Sequence, residues 1–165
     1  MRQLYIKQKA LSLSGKFSVK DELENKVYFV EGSFMKIPKT FSITNTARQE
    51  VAMIRQKVFS FLPTFFVDVH GQKKMTIKRE LTFLKARYTI DAARIEVRGN
   101  LRDMDFQEYQ NRKLIGTVSK KWFKWGDCYQ LKIADNEMEP LLVALVVAID
   151  CAKAARVAAA PFAGG

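Results

Sequence analysis

The sequence predicts a mainly β domain in which two similar halves, each of about six strands, surround one apolar helix near the C-terminus. Three observations lead to this fold class. Short runs of alternating apolar and polar residues dominate the chain as far as residue 134, a weak internal repeat relates two parts of that region, and a continuous apolar run follows it. The 165 residues suit one domain with a sizeable core, which we assign to residues 1–157, with a frayed low-complexity tail at 158–165.

Alternating apolar residues predict the individual strands. Good examples are residues 16–20, 26–31, 40–44 and 129–133, in which apolar and polar side chains alternate. Glycine, asparagine and proline separate such runs at intervals of about ten residues, as expected of turns. Each run can therefore bury one face against a common core.

A weak duplication with a period of about 65 residues relates the two halves. The matches consist mainly of apolar spacing and one glycine, so chance similarity between strand-rich segments is the alternative interpretation. The matched segments are Val30–Phe34 with Val97–Leu101, Phe41–Asn45 with Phe106–Gln110, and residues 65–69 with 129–133.

The apolar run predicts a helix near residues 137–155. Asp135 and Pro140 are residue types that begin helices, and residues 141–149 are apolar on every side of a helix. A helix without a polar face must be enclosed. The run is about half of the roughly 20 residues that a bilayer span needs, and Asp150 directly after it would cost about 3 kcal/mol inside a membrane. We therefore expect the strands to wrap this helix.

Composition indicates an anionic partner and a reducing compartment. Lys and Arg total 28 against 17 Asp and Glu, and the net charge of +11 favours polyanionic partners. Cys128 and Cys151 are too far apart in sequence to predict a metal or redox pair, and two cysteines make no disulfide framework. No apolar stretch precedes Lys7, so a secretory signal is not expected. We expect a cytoplasmic protein whose membrane association is at most peripheral.

No residue pattern predicts catalysis, a cofactor or a metal site. The single histidine, His70, precedes Gly71 and fits a hairpin turn. Cys128 and Cys151 fit small buried side chains, in a strand and in the helix respectively. Carboxylates are scattered, and the glycine motifs that bind nucleotides are absent from the sequence. We therefore expect no enzymatic activity, no cofactor and no metal.

Five segments in a fixed order carry a family resemblance: Tyr5–Lys9, Phe17–Asp21, Val27–Gly32, Ile54–Ser60 followed by Pro63, and the terminal apolar helix. Together they resemble the LURP-one-related proteins, specifically the bacterial YxjI-like branch. The resemblance implies a tubby-like fold, which is a closed antiparallel barrel of about twelve strands threaded by one C-terminal helix. It also implies a relation to tubby domains, which bind phosphoinositide headgroups, and to phospholipid scramblases, but it transfers no site residue.

Lysines and aromatic residues alternate over residues 119–127, next to a predicted turn. The primary candidates for contact with anionic phospholipid headgroups or a phosphorylated ligand are Lys120, Lys121, Lys124 and Trp125. Lysine is attracted to an anionic surface, and tryptophan favours the headgroup level of a membrane. The alternative is a hairpin whose aromatic side chains pack on the barrel or cap its open end.

A second basic stretch, residues 73–98, contains eight basic and three acidic residues, a net charge of +5. It supplies the secondary candidates Lys74 and Lys78, and strand alternation places both on the face opposite Met75 and Ile77. An ordinary solvated strand face is the alternative.

The function that these features favour is that of a non-enzymatic binding module for an anionic membrane surface or a phosphorylated ligand. Nucleic-acid binding is an alternative that the net charge also permits, although no recognised nucleic-acid motif is present in the sequence. A structural or protein-interaction role is the other alternative, because a helix can fill the inside of a small barrel.

Overall fold

The computed structural model describes residues 1–7, 15–33, 38–81, 86–92, 94–123 and 126–155. Twelve strands, a 3-10 turn at Asn136–Met138 and one helix, α1 (Glu139–Ala154), make up the described fold. The strands are β1 (Arg2–Lys7), β2 (Lys16–Asp21), β3 (Lys26–Gly32), β4 (Thr40–Asn45), β5 (Glu50–Gln56), β6 (Thr64–Val69), β7 (Gln72–Leu81), β8 (Ala86–Ala92), β9 (Ile95–Asn100), β10 (Asp105–Gln110), β11 (Lys113–Phe123) and β12 (Gly126–Ile133). The prediction of a mainly β fold with one C-terminal helix is confirmed.

All twelve strands belong to one antiparallel sheet. The sheet order begins at β8 and ends at β9; all other strands that are neighbours in sequence are neighbours in the sheet, and β1 also pairs with β12. Strand direction therefore alternates throughout. Every odd-numbered strand ends, and every even-numbered strand begins, at one end of the sheet, which we call the upper end. Every even-numbered strand ends at the opposite, lower end, where α1 begins.

Helix α1 forms the centre of the core. Residues 141–152 are all buried, and the side chains from Leu142 to Ile149 are at most 1% exposed. The helix packs against β5, β6, β7 and β12. A helix that is buried on every face is covered by protein on every side. Burial of its large aliphatic side chains contributes on the order of 10–20 kcal/mol before conformational entropy is subtracted.

The lower end of α1 is fixed by the carboxylate of Glu139. Tyr28 Oη of β3 donates a hydrogen bond to Glu139 Oε1 at 2.8 Å, and Arg2 Nε of β1 lies 2.6 Å from Glu139 Oε2. Burial, followed by the neighbouring carboxylate, raises the pKa of Tyr28, so its phenol remains a donor. An acidic residue is also favourable in the first turn of a helix.

The upper end of α1 is fixed by two other strands. Tyr129 Oη of β12 donates to Asp150 Oδ1 at 2.6 Å. The Arg79 guanidinium of β7 donates to two carbonyls at the end of the helix, at 2.8 and 3.3 Å. These bonds satisfy carbonyl groups that a helix terminus otherwise leaves without partners. The helix is thus fixed along the axis of the surrounding sheet.

One glycine–phenylalanine pair recurs six strands apart, which supports the duplication seen in the sequence. Gly32 pairs with Phe41 between β3 and β4, and Gly99 pairs with Phe106 between β9 and β10. A Cβ atom on Gly32 would lie 2.6 Å from the Phe41 ring, and one on Gly99 would lie 2.8 Å from Phe106 Cα. Both pairs therefore need a glycine opposite the phenylalanine.

Candidate functional site

The structure places Lys120 and Lys121 near the upper end of β11, and both are exposed. Consecutive strand residues face opposite sides of a sheet. Lys120 lies opposite Tyr129, whose side chain is in the core, so Lys121 extends from the other face of the strand. Lys124 and Trp125 lie outside the described residues.

Lys74 and Lys78 lie on β7, which the sheet order separates from β11. Lys78 is exposed on the outer face, as alternation predicts. Lys74 is exposed as well, but the register between β6 and β7 passes from Met75 to Lys73 and skips it. It is the extra residue of a β-bulge near the lower end, and a bulge redirects side chains. The primary and secondary lysines therefore do not form one site.

The upper end exposes three aromatic side chains that the sequence did not single out as contacts. Phe59 and Phe61 lie in the connection between β5 and β6, and Trp122 lies near the end of β11. Their exposed fractions are 103%, 64% and 78%, respectively. For Trp122, this exposure argues against the alternative that the aromatic residues pack on the barrel.

The connection that carries Phe59 is held by hydrogen bonds at its base. The Lys57 amide donates to the Thr64 carbonyl at 2.8 Å, and the hydroxyls of Ser60 and Thr64 donate to the Leu62 carbonyl at 2.6 and 3.0 Å. Phe59 itself has a φ of 57°, in the left-handed region that bulky residues rarely adopt. The connection thus holds a phenylalanine in solvent in a strained conformation, a combination often found at functional positions.

Exposed lysines accompany these aromatic side chains. Lys57 begins the connection that carries Phe59, and Lys120 and Lys121 directly precede Trp122. One exposed acidic residue, Asp127, pairs with Trp122 across the hairpin. We call Phe59, Phe61 and Trp122, together with Lys57, Lys120 and Lys121, the aromatic end. A signal for it was present in the sequence, since residues 58–63 place two phenylalanines beside a proline in a segment too short for another strand.

The thiols and the histidine do not form a reactive group in the described structure. Burial raises the pKa of Cys128 to about 11, with a smaller contribution from Asp127, and burial raises the pKa of Cys151 as well. Both thiols are thus protonated near neutral pH and poor nucleophiles. His70 has a φ of 49° and occupies the turn between β6 and β7, as predicted.

Among the described acidic residues, Glu108 of β10 has a strongly raised pKa, and its burial was not predicted from the sequence. It is 0% exposed, and neither carboxyl oxygen has a hydrogen-bond partner within the described structure. Burial raises its pKa to about 8. The alternation of Phe106, Gln107 and Glu108 was a usable signal, because it places Glu108 on the same face as a core phenylalanine.

No group of three or more His, Cys, Asp and Glu side chains within the described ranges is arranged to hold a metal ion. In the same part of the chain, no helix has both the length and the apolar character needed to cross a bilayer.

An antiparallel sheet of twelve strands around an apolar C-terminal helix defines the class of tubby-like folds. The X-ray structure of a protein from Arabidopsis thaliana shares the fold, with a TM-score of 0.55 and 12% identity, over 91% of this chain and 90% of that chain. The chain belongs to the LURP-one-related family, whose family model matches residues 2–150. It is also 30% identical over 150 residues to the uncharacterized protein YxjI of Bacillus subtilis (strain 168), covering 91% of this chain and 93% of that relative.

Proposed function

We propose that this protein is a non-enzymatic binding module that docks its aromatic end on an anionic membrane surface and contacts phospholipid headgroups. The observation that carries the proposal is the complete exposure of Phe59 on a connection that is itself hydrogen-bonded. We place the module at the cytoplasmic face of the membrane, since Cys128 and Cys151 are buried and neither is in a disulfide.

The chemistry of the aromatic end suits a membrane interface. Phenylalanine and tryptophan enter the boundary between headgroups and acyl chains, where apolar area leaves water. Each lysine near an anionic surface adds about 1 kcal/mol of attraction. Lys57, Lys120 and Lys121 would supply this attraction while Phe59, Phe61 and Trp122 insert.

The spacing of the aromatic side chains favours a flat partner. The hairpins that carry Phe59 and Trp122 begin at β5 and β11, which lie six positions apart in the sheet order. We propose further that β8 and β9 adjoin and close the sheet into a barrel. Twelve strands spaced about 4.8 Å apart and tilted by about 40° give a barrel about 24 Å across. A membrane can contact both hairpins at that separation, whereas one small ligand cannot.

The test is flotation of the protein with vesicles of phosphatidylcholine alone or mixed with phosphatidylglycerol. We expect binding to the anionic vesicles, its loss in the triple variant Phe59→Ser, Phe61→Ser and Trp122→Ser, and a weaker loss in Lys57→Gln, Lys120→Gln and Lys121→Gln. The matched control is Leu23→Ser, because Leu23 is 81% exposed in the β2–β3 connection at the lower end. It should bind as the unaltered protein does.

Two outcomes would contradict this function. Equal binding to neutral and anionic vesicles would exclude an anionic surface as the specific partner. Binding that survives the triple serine change with an unchanged melting temperature would exclude the aromatic end as the contact. An added arm with single- and double-stranded oligonucleotides at physiological salt tests the nucleic-acid alternative. Oligonucleotide binding without vesicle binding would replace the proposal with that alternative.

A further inference from the structure

A cavity of about 380 Å³ opens at the lower end, on the opposite side of the molecule from the aromatic end. Its walls come from the β6–β7 hairpin, from the ends of β9 and β10 that lie at the lower end, and from the first turn of α1 with the 3-10 turn before it. Pockets of about 300–1,000 Å³ hold small molecules. The size of the cavity therefore fits a small ligand.

The floor of the cavity is apolar. Val69 and Leu141 are buried, and Ile95 and Met138 are partly buried. All four side chains line the cavity and come from different elements of the fold. A ligand in this position would gain from burying an apolar body.

The rim of the cavity is basic on the side of the β6–β7 hairpin. His70, Lys73 and Lys74 line it there, and all three are exposed. The left-handed φ values of His70 and Gly71, 49° and 74°, form the tight turn, and the register of β6 with β7 passes over Lys74 next to Lys73. Local backbone geometry thus brings His70, Lys73 and Lys74 of one hairpin to the same cavity.

Neither lysine of the rim is in an ion pair within the described structure, and Asp68, which lies opposite Lys73 in the register, is paired with Arg55. Lys74 Nζ donates to the neutral Gln72 Oε1 at 2.7 Å, and Lys73 Nζ lies 4.6 Å from the centre of the Phe66 ring. The ion pairs among the described residues are Arg2–Glu139, Lys16–Glu31, Arg55–Asp68 and Arg98–Glu96. The lining includes one carboxylate, Glu137, on the opposite wall, so an anionic group would be held on the hairpin side.

We propose that this cavity binds a small amphiphilic organic anion, with its anionic oxygens on His70, Lys73 and Lys74 and its apolar body against Leu141 and Ile95. The head group is a carboxylate or a phosphate, since lysine serves either. The inference does not rest on the proposed membrane function, because the cavity and the aromatic end lie at opposite ends of the sheet.

The test is isothermal titration of the full chain with hexyl phosphate, hexanoate, hexanol and inorganic phosphate. We expect saturable binding of at least one hexyl anion, and much weaker binding of hexanol and inorganic phosphate, because each lacks one half of the ligand chemistry. The tighter of the two hexyl anions identifies the head group. In the NMR spectrum, the Gly71 amide should shift on binding.

Two variants separate charge from packing. Lys73→Gln with Lys74→Gln should weaken binding of the hexyl anion by about tenfold, if each lysine contributes somewhat under 1 kcal/mol. Ile95→Phe should weaken it by filling the floor of the cavity. The matched control is Lys26→Gln with Lys113→Gln, which removes two exposed lysines of the lower end that do not line the cavity.

The inference is overturned if neither hexyl anion binds the unaltered protein, or if hexanol or inorganic phosphate binds equally well. It is also overturned if the Lys73→Gln and Lys74→Gln protein binds with unchanged affinity. Vesicle flotation of this same double variant should be normal, so failure of the cavity and failure of the membrane function are distinguishable.

Discussion

At the scale of single residues, Glu108 occupies a position that the first half of the molecule gives to an apolar side chain. Ile43 is its counterpart in the repeat, and each is followed directly by a register shift in the pairing with the next strand. Ile43 pairs with Ala52, whereas Glu108 pairs with Gly116. A Cβ atom at Gly116 would lie 2.5 Å from Glu108 Oε2, so the glycine leaves room for the carboxyl group.

The raised pKa of Glu108 makes stability depend on pH in a predictable direction. Its carboxyl is protonated in the folded chain below about pH 8 but ionises near its ordinary pKa of about 4.3 when the chain unfolds. The free energy of unfolding should therefore fall as pH rises from about 4.5 to about 8, by an amount on the order of a few kcal/mol, and level off above.

Glu108→Gln removes this titration while keeping the shape of the side chain. We expect the urea midpoints of the unaltered protein and the glutamine variant to converge at low pH. As pH rises toward 8 and above, the glutamine variant should become the more stable of the two. The difference between the two proteins isolates Glu108 from other titrating groups. Parallel pH profiles for both proteins would show that the carboxyl does not titrate in this window.

At the scale of elements, the strands and α1 could be predicted from the sequence because each has a periodic burial pattern. Alternation fixes which face of a strand is buried, and the apolar run of residues 141–149 leaves no polar face for solvent. The exposed connection that carries Phe59 has no period. Its shape depends on bonds among Ser60, Leu62 and Thr64, which spacing alone does not reveal.

The candidate site was predicted less completely for a related reason. The hairpin of Lys120 and Lys121 was identified by its composition, but the bulge at Lys74 depends on the pairing of β6 with β7. A bulge inserts one residue into a strand without a distinctive sequence. The cavity at the lower end also joins elements that are far apart in the chain, from Val69 to Leu141.

Gly99 provides a test of the repeated glycine and phenylalanine pair. Its φ is 126°, and a Cβ atom would lie 2.6 Å from the Asp105 carbonyl oxygen, a backbone atom that cannot move aside easily. Gly71, with a φ of 74°, is a matched control because nothing lies within 4 Å of its Cβ position. We expect Gly71→Ala to cost about 1–2 kcal/mol through backbone strain alone, and Gly99→Ala to cost about 1–3 kcal/mol more.

Urea denaturation of both alanine variants measures these costs. Equal losses at the two positions would show that the strand pair relaxes around Gly99 and that the close approach of β9 and β10 is not required by the fold.

At the scale of the whole molecule, a net charge of +11 acts on stability and on binding in opposite senses. Like charges repel one another in the compact state, and salt screens that repulsion. Raising sodium chloride from about 0.02 to 0.5 M should therefore raise the melting temperature while it weakens flotation with anionic vesicles. The exposed ion pairs that salt also weakens contribute little.

A calorimetric scan beside a flotation assay in the same buffers checks both trends. Sucrose in place of salt is the uncharged control and should leave vesicle binding unchanged. A melting temperature that falls with salt would mean that attractive charge pairs outweigh the net repulsion.

The enclosure of α1 has a consequence for how the chain is made. All twelve strands precede this helix in the order of synthesis, and β1 cannot complete its pairing until β12 has been translated. In a nascent chain that still lacks the last helix, the apolar inner face of the strands is exposed to solvent. We therefore expect the protein to reach its native state only after the ribosome has released nearly all of the domain.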